Sequence, residues 1–221
     1  MKAMNFQQKV YCEYIVKNNM KIGIIDYGMG NLHSVKNAFE YIGCETIVSA
    51  DSHELDRADG VILPGVGAFP DAMKFLKKAK MDEYVKNITS KKPLLGICLG
   101  MQLLFDRSYE FCECEGLGLV EGEVVKIEHT GVKIPHMGWN EITVINESPL
   151  LKGIESGAQV YFVHSYKAVV QNRQNLIATT DYAGEITAIV GKENVFGCQF
   201  HPEKSGEVGL KILENFKEIC G

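Results

Sequence analysis

Two segments about a hundred residues apart carry side chains that can do chemistry together. The first is Gly96-Ile97-Cys98-Leu99-Gly100-Met101-Gln102 and the second is Gln199-Phe200-His201-Pro202-Glu203. Cys98 supplies a nucleophile, His201 a base and Glu203 a carboxylate two residues beyond that base. A thiol is mostly protonated near neutrality, so an imidazole that takes its proton activates it. A carboxylate on the far side of the ring holds the imidazole in the useful tautomer. Cys, His and Glu are therefore a chemically complete set for attack on an acyl carbon.

Such a set works only if the backbone brings it together. Cys98 follows the apolar run Leu94-Leu95-Gly96-Ile97 and precedes Leu103-Leu104-Phe105. The pattern predicts a buried strand, a tight turn with glycine close on either side of the cysteine, and the start of a helix. A cysteine at a strand-to-helix turn is pushed out at the sheet edge, where helix N-terminal amides favour a thiolate. His201 ends the run Val195–Phe200, which reads as a core strand broken by Pro202. Taken singly, a cysteine among leucines is usually a small core residue. Two such residues, each at the carboxyl end of a predicted strand, favour a site, because open α/β sheets bind ligands at that end.

The strands and helices around these segments predict a three-layer α/β fold: a central mixed, mostly parallel sheet flanked by helices. Lys21–Asp26 reads as a buried strand, and Leu32, Val35, Phe39 and Ile42 recur at helical spacing before Gly43. Thr46–Ser49 and Gly60–Leu63 read as further strands, the latter closed by Pro64-Gly65. Helical segments follow within Ala72–Ile88. This βαβα order is that of a parallel sheet covered on both faces. Beyond Phe105 the pattern changes to strands and turns at Glu121–Glu128, Glu141–Ile145 and Gln159–Val169. A hairpin is expected around Gly191–Asn194. A final helix carries Val208, Ile212, Leu213, Phe216 and Ile219 on one face. One domain is expected over residues 20–221.

Residues 1–19 stand apart. They show no signal-peptide core or cleavage site, and Met20-Lys21-Ile22-Gly23 would itself open a first strand. Phe6, Val10, Tyr14 and Tyr11 allow a loosely docked helix. A native extension, an upstream start and an appended tag all fit. The 221-residue chain is long enough for a substantial core. Its net charge of −5, without a long basic run, argues against nucleic-acid binding. No stretch has the length of a membrane span. Seven cysteines fit free thiols in a reducing cytoplasm. Cys112 and Cys114 have the wrong spacing for a zinc knuckle, even with His129 and His136 nearby. No metal or cofactor is expected. Gly28-Met29-Gly30 lacks the third glycine of a dinucleotide loop.

The two segments resemble those of the class I, or triad, glutamine amidotransferases, whose nucleophile lies in Gly-x-Cys-x-Gly-x-Gln and whose histidine and glutamate come from His-Pro-Glu. Further matches are Asp26-Tyr27-Gly28-Met29-Gly30-Asn31-Leu32, Leu63–Phe69, Pro135-His136-Met137-Gly138-Trp139-Asn140, Val163-His164-Ser165-Tyr166 and the extension of the second segment to Lys204-Ser205. With these, residues from Lys21 to about Cys220 are similar to the glutaminase subunits of imidazole glycerol phosphate synthases, of histidine biosynthesis. The resemblance implies hydrolysis of L-glutamine through a glutamyl thioester on Cys98. It also implies delivery of ammonia to a cyclase partner, a β/α barrel bound as a heterodimer.

The resemblance further implies roles for single residues. The oxyanion would be held by the Leu99 amide and by the loop Gly65-Val66-Gly67. There Val66 interrupts a glycine run and would keep the hole unformed until a partner or acceptor ligand turns a peptide over. Pro64-Gly65 equally allows a plain type II turn. Gln102 and the segment His164, Ser165 and Tyr166 would hold the substrate. His164 also reads as a strand-end residue making a structural hydrogen bond. Asn31, Trp139, Tyr161 and Lys204 would face the cyclase, although a sole tryptophan is by default a core residue. Two departures keep another acceptor in view: the stretch Asp106–Cys114, where the subfamily is rich in glycine and serine, and Lys167, where a bulky residue is common. Paralogues within this subfamily supply ammonia for amidation of bacterial surface sugars.

Overall fold

The runs Lys21–Ile25 (β1), Gly60–Gly65 (β3) and Leu94–Cys98 (β4) are almost wholly buried because both of their faces are covered. The computed structural model describes residues 20–128 and 131–221; the helix expected within residues 1–19, and His129, lie outside them. Glu45–Ser49 (β2) is the half-exposed edge. The remaining strands are Phe105–Ser108 (β5), Cys114–Glu115 (β6), Val120–Lys126 (β7), His136–Glu141 (β8), Thr143–Val144 (β9), Gln159–His164 (β10), Tyr166–Val170 (β11), Leu176–Asp181 (β12), Glu185–Lys192 (β13) and Val195–Cys198 (β14). The helices are Leu32–Tyr41 (α1), Ser52–Leu55 (α2), Phe69–Lys78 (α3), Met81–Ile88 (α4), Leu99–Gln102 (α5) and Gly206–Ile219 (α6). No helix among the described residues is long and apolar enough to cross a membrane.

The main sheet has the order β2-β1-β3-β4-β14-β13-β12-β9. From β2 to β14 every neighbour is parallel; β13, β12 and β9 add on antiparallel. Alternate residues of each strand feed two cores. One holds Ile22, Ile24 and Ile62 with α1 and α6, where Phe39 and Phe216 meet edge to face with ring centroids 6.4 Å apart. That contact contributes about 0.5–1.5 kcal/mol beyond area burial. The other holds Val61, Leu63 and Leu94 with α3 and α4. Two smaller sheets lie beside the main one: the antiparallel ribbon β8–β10, and β11-β7-β5-β6.

Several features differ from the sequence-based expectation. The helix after Cys98 is a single turn. The Leu103 and Leu104 carbonyls accept the Leu117, Leu119 and Val120 amides at 2.8–3.0 Å, so the chain leaves the helix to pair with a distant segment. Pro64 and Gly65 continue β3 instead of turning, and the positive φ (97°) falls at Gly67. Gln159–Val169 is broken at Ser165 into strands belonging to two different sheets. β12 has no counterpart in the sequence reading because Thr179 and Thr180 read as polar, yet both are buried inside the sheet.

Candidate active site

Cys98 ends β4, and its two neighbouring strands decide what it meets. On one side Gly65 of β3 is its register partner. On the other, Ile97 pairs with Cys198 of β14, a strand from the far end of the chain. His201 and Glu203 follow β14 directly, so this parallel pairing closes the hundred-residue gap. Cys98 itself adopts φ 56° and ψ −111°, a conformation that costs a non-glycine residue of the order of 1–3 kcal/mol. The strain turns the chain sharply from strand into α5. The close fit needs glycine on both sides: a Cβ on Gly100 would strike the Leu63 carbonyl, and one on Gly96 would lie 2.7 Å from the Gly100 carbonyl. The helix is a single turn, so no summed helix dipole acts on Cys98.

His201 is 2% exposed. Its Nδ1 lies 2.7 Å from Glu203 Oε1, and the Glu203 side chain is 1% exposed. The Cys98 side chain faces the same ring across the cavity they both line. With Nδ1 directed to the carboxylate, Nε2 is the nitrogen left for the thiol. Burial pushes the imidazole pKa down, but the Cys98 sulfur and the Glu203 carboxylate outweigh it and raise it to about 9. The arrangement therefore stabilises imidazolium, the state that accompanies a thiolate. Gln199 Nε2 and the Val163 carbonyl each lie 3.9 Å from the Cys98 sulfur.

A cavity of about 410 Å³ opens onto Cys98 and His201, walled by Val66, Gly67, Leu99, Gln102, His164, Ser165, Tyr166 and Lys204 among others. The loop after β3 thus shares this cavity with Cys98, and the Tyr27 hydroxyl donates to the Pro64 carbonyl at 2.9 Å. Gln102 spends its amide on the wall, donating to the Tyr166 carbonyl (3.0 Å) and to Gln199 Oε1 (2.9 Å). His164 uses both ring nitrogens. Nδ1 donates to the Tyr166 carbonyl at 2.8 Å, which leaves Nε2 to accept from His136 Nδ1 at 3.1 Å. Burial, opposed by the Tyr166 carbonyl, pulls its pKa to about 3, so it is a neutral structural group and not a second base. Lys167 points elsewhere, its ammonium donating to the Glu185 carbonyl.

Glu110 also lines this cavity, and the sequence reading does not single it out. It is 8% exposed, and its Oε2 accepts the Phe69 amide at 2.7 Å at the start of α3. Burial raises its pKa, the Phe69 amide lowers it and Asp71 raises it. The only signal is a lone glutamate between Tyr109 and Phe111, within the stretch Asp106–Cys114 that departs from the subfamily. A buried carboxylate on the wall suits the α-ammonium of an amino-acid substrate. Glu110→Gln keeps an acceptor for Phe69 but loses the charge. It is expected to raise the KM for glutamine by about 10-fold or more, the worth of a charged hydrogen bond, with kcat changed far less. Steady-state kinetics check this; an unchanged KM would remove Glu110 from substrate binding.

Of the four residues considered for docking, Trp139 and Lys204 are exposed, and Asn31 and Tyr161 are half-buried. Trp139 is 56% exposed, not a core residue, and Met137 on the same strand is 61% exposed. Trp139 pairs across the ribbon with Tyr161, their rings edge to face at 6.1 Å. Lys204 is exposed on the cavity rim. Asn31 is half-buried, its side chain capping α1 through the Ser34 amide at 3.4 Å.

Comparison with known proteins agrees with this geometry. A family model described as glutamine amidotransferase class-I matches residues 23–219. The chain is 53% identical over 199 residues to the imidazole glycerol phosphate synthase subunit HisH of Caldanaerobacter subterraneus subsp. tengcongensis, covering 90% of this chain and 98% of that protein. It is 53% identical to the HisH subunit of Bacillus cereus, covering 90% and 94%. Among solved structures, that of PurLQS from Thermotoga maritima superposes with a TM-score of 0.71 at 23% identity, covering 90% of this chain and 97% of that one. A glutamine amidotransferase from Thermotoga maritima gives 0.60 at 17% identity, covering 90% and 83%. A cysteine on a strained strand end, a buried His–Glu pair and a family match over almost the whole chain lead to one conclusion: the chain belongs to the class-I glutamine amidotransferase family.

Proposed function

We propose that this chain is the glutaminase subunit of an imidazole glycerol phosphate synthase, making ammonia in the cytoplasm for a cyclase partner that uses it in histidine biosynthesis. The observation that carries the chemistry is Cys98 and His201 on the wall of one cavity sized for an amino acid, with Glu203 buried against the far nitrogen of the imidazole. The thiolate attacks the side-chain amide carbon of glutamine. The developing oxyanion is met by the Leu99 amide and the loop Gly65-Val66-Gly67. His201 gives its proton to the leaving nitrogen, which departs as ammonia and leaves a γ-glutamyl thioester. Water, losing a proton to the same ring, then releases glutamate and restores the thiol. Gln102, Glu110 and the His164–Tyr166 segment hold the substrate. Glu203 keeps Nδ1 protonated throughout.

The acceptor pathway rests on relatives more than half identical over nine-tenths of the chain, which are named as HisH subunits. They favour the cyclase over a sugar-amidating partner. A β/α-barrel cyclase would dock on Trp139, Tyr161, Asn31 and Lys204. The test measures glutamate release with and without a cyclase subunit of an imidazole glycerol phosphate synthase and its ribosyl precursor. The partner with its ligand should raise the rate by about 10- to 100-fold, the usual size of a coupling between sites. A fast rate that no partner changes would count against this assignment.

Lys204→Ala should weaken that docking by about 2–5 kcal/mol if its ammonium meets a partner carboxylate. The melting temperature of the free chain should hardly change, because an exposed lysine contributes little alone. Titration of the heterodimer checks this. Unchanged affinity and unchanged stimulation would return Lys204 to ordinary solvated surface.

A further inference from the structure

Ser205 is the N-cap of α6, yet its side chain makes no capping bond. Serine at that position ordinarily accepts an amide of the first helical turn. Here the hydroxyl is turned away and spent elsewhere. It is 1% exposed, accepts the Tyr161 amide at 3.0 Å and donates to the His201 carbonyl at 2.6 Å. The His201 amide in turn donates to the Tyr161 carbonyl at 3.0 Å. Both backbone polar groups of Tyr161 are thus tied to the segment carrying the triad, and both polar groups of His201 are tied to β10 or to the serine. A local helix preference has been given up for a long-range link, and such departures mark functional positions.

We propose that Ser205 is a positioning residue of the active site: its hydroxyl fastens the backbone of His201 to β10 and so sets where the imidazole stands relative to Cys98. The hydroxyl has one proton, given to His201, and a lone pair, given to Tyr161, so its rotation is fixed. Pro202 restrains the backbone on the other side, and Glu203 fixes only the rotation of the ring. Without the serine link, His201 keeps its partner carboxylate, its amide bond to Tyr161 and the Lys204 amide on its carbonyl, but the second tie to β10 that fixes its distance from the sulfur is lost. The same link joins the triad to the ribbon bearing Trp139, which pairs with Tyr161. The proposal rests on the assignment of Cys98, His201 and Glu203 as the catalytic set.

The experiment uses the full chain and the pair Ser205→Thr and Ser205→Val, which are nearly isosteric and differ in the hydroxyl. Three readouts are compared: kcat and KM for glutamine, melting temperature, and the rate at which iodoacetamide alkylates Cys98, resolved by peptide mass spectrometry. Exposed Cys112 in the same chain is the internal reference. The threonine variant is expected to keep most of the activity. The valine variant should lose about 10- to 100-fold in kcat, as misplacement by about 1 Å commonly does, with KM within about twofold. Its Cys98 alkylation should slow relative to Cys112. Equal activity and labelling in the two variants would overturn the proposal whatever their melting temperatures, as would equal loss in both. Cys98→Ala run alongside separates the premise: if that variant stays active, the triad assignment fails; if it is dead while Ser205→Val is normal, only the positioning role fails.

Discussion

Cys98→Ala is expected to lower glutamine-dependent glutamate release by at least about 10³-fold, because no covalent intermediate can form without the thiol. Synthesis driven by an ammonium salt in the assembled complex should persist. The motivation is spatial: Cys98 and His201 face one cavity sized for an amino acid. The thiol would then serve only to free ammonia, and the acceptor would react in the partner. Loss of a small buried side chain at a strained position should not unfold the chain; removing the Cβ substituent leaves the same φ and ψ to be held by β3 and β14. The measurement compares glutamine with ammonium as nitrogen donor for mutant and wild-type complexes. Equal loss of both activities in an intact complex would show that Cys98 acts in more than glutamine hydrolysis.

Glu203→Gln should have nearly as large an effect, about 10³–10⁴-fold in kcat, by analogy with loss of the orienting carboxylate in hydrolase triads. A glutamine amide can turn either face to Nδ1, so the tautomer that leaves Nε2 free for the thiol is no longer selected. A decrease of less than about tenfold would mean that burial alone holds the ring. The same substitution should change the pH dependence of stability. His201 has its pKa raised from 6.5 to about 9, burial opposing and the Cys98 and Glu203 side chains prevailing. A raised folded-state pKa favours folding while the group is protonated. The contribution is therefore full below the unfolded value of 6.5 and is lost as the pH climbs through about 9. Denaturant midpoints at about pH 6 and about pH 10 read this difference. Glu203→Gln should shrink it without abolishing it, since Cys98 also faces the ring. A wild-type midpoint that rises across that interval would contradict the ion pair.

Much of this was legible along the chain. The apolar runs into Cys98 and His201, the glycines at 96 and 100, and Pro202 each have a local steric or burial reason. Each therefore survives folding unchanged. The parallel half of the sheet, α1 and α6 follow from hydrophobic period for the same reason. What could not be read locally was decided by hydrogen bonds between distant segments. α5 stops after one turn because Leu103 and Leu104 bond to residues 117–120. Glu110 becomes a wall of the cavity because β5 leaves α5 so early and turns its end toward the start of α3. Trp139 lies outside because β8 pairs only with β10, one face of that ribbon being left uncovered.

By itself, then, the order of residues pointed to the groups proposed for the chemistry and determined the strand ends at which they stand, because strand, turn and burial signals are short-ranged. Only the tertiary structure decided that β14 inserts beside β4, that His164 is a neutral buried partner of His136 and not a base, and that the Ser205 hydroxyl bonds Tyr161 and His201 instead of its own helix. Each of these depends on which backbone amide or carbonyl is left unpaired once the sheets have formed. That count is a property of the whole assembled chain, and no stretch of sequence contains it.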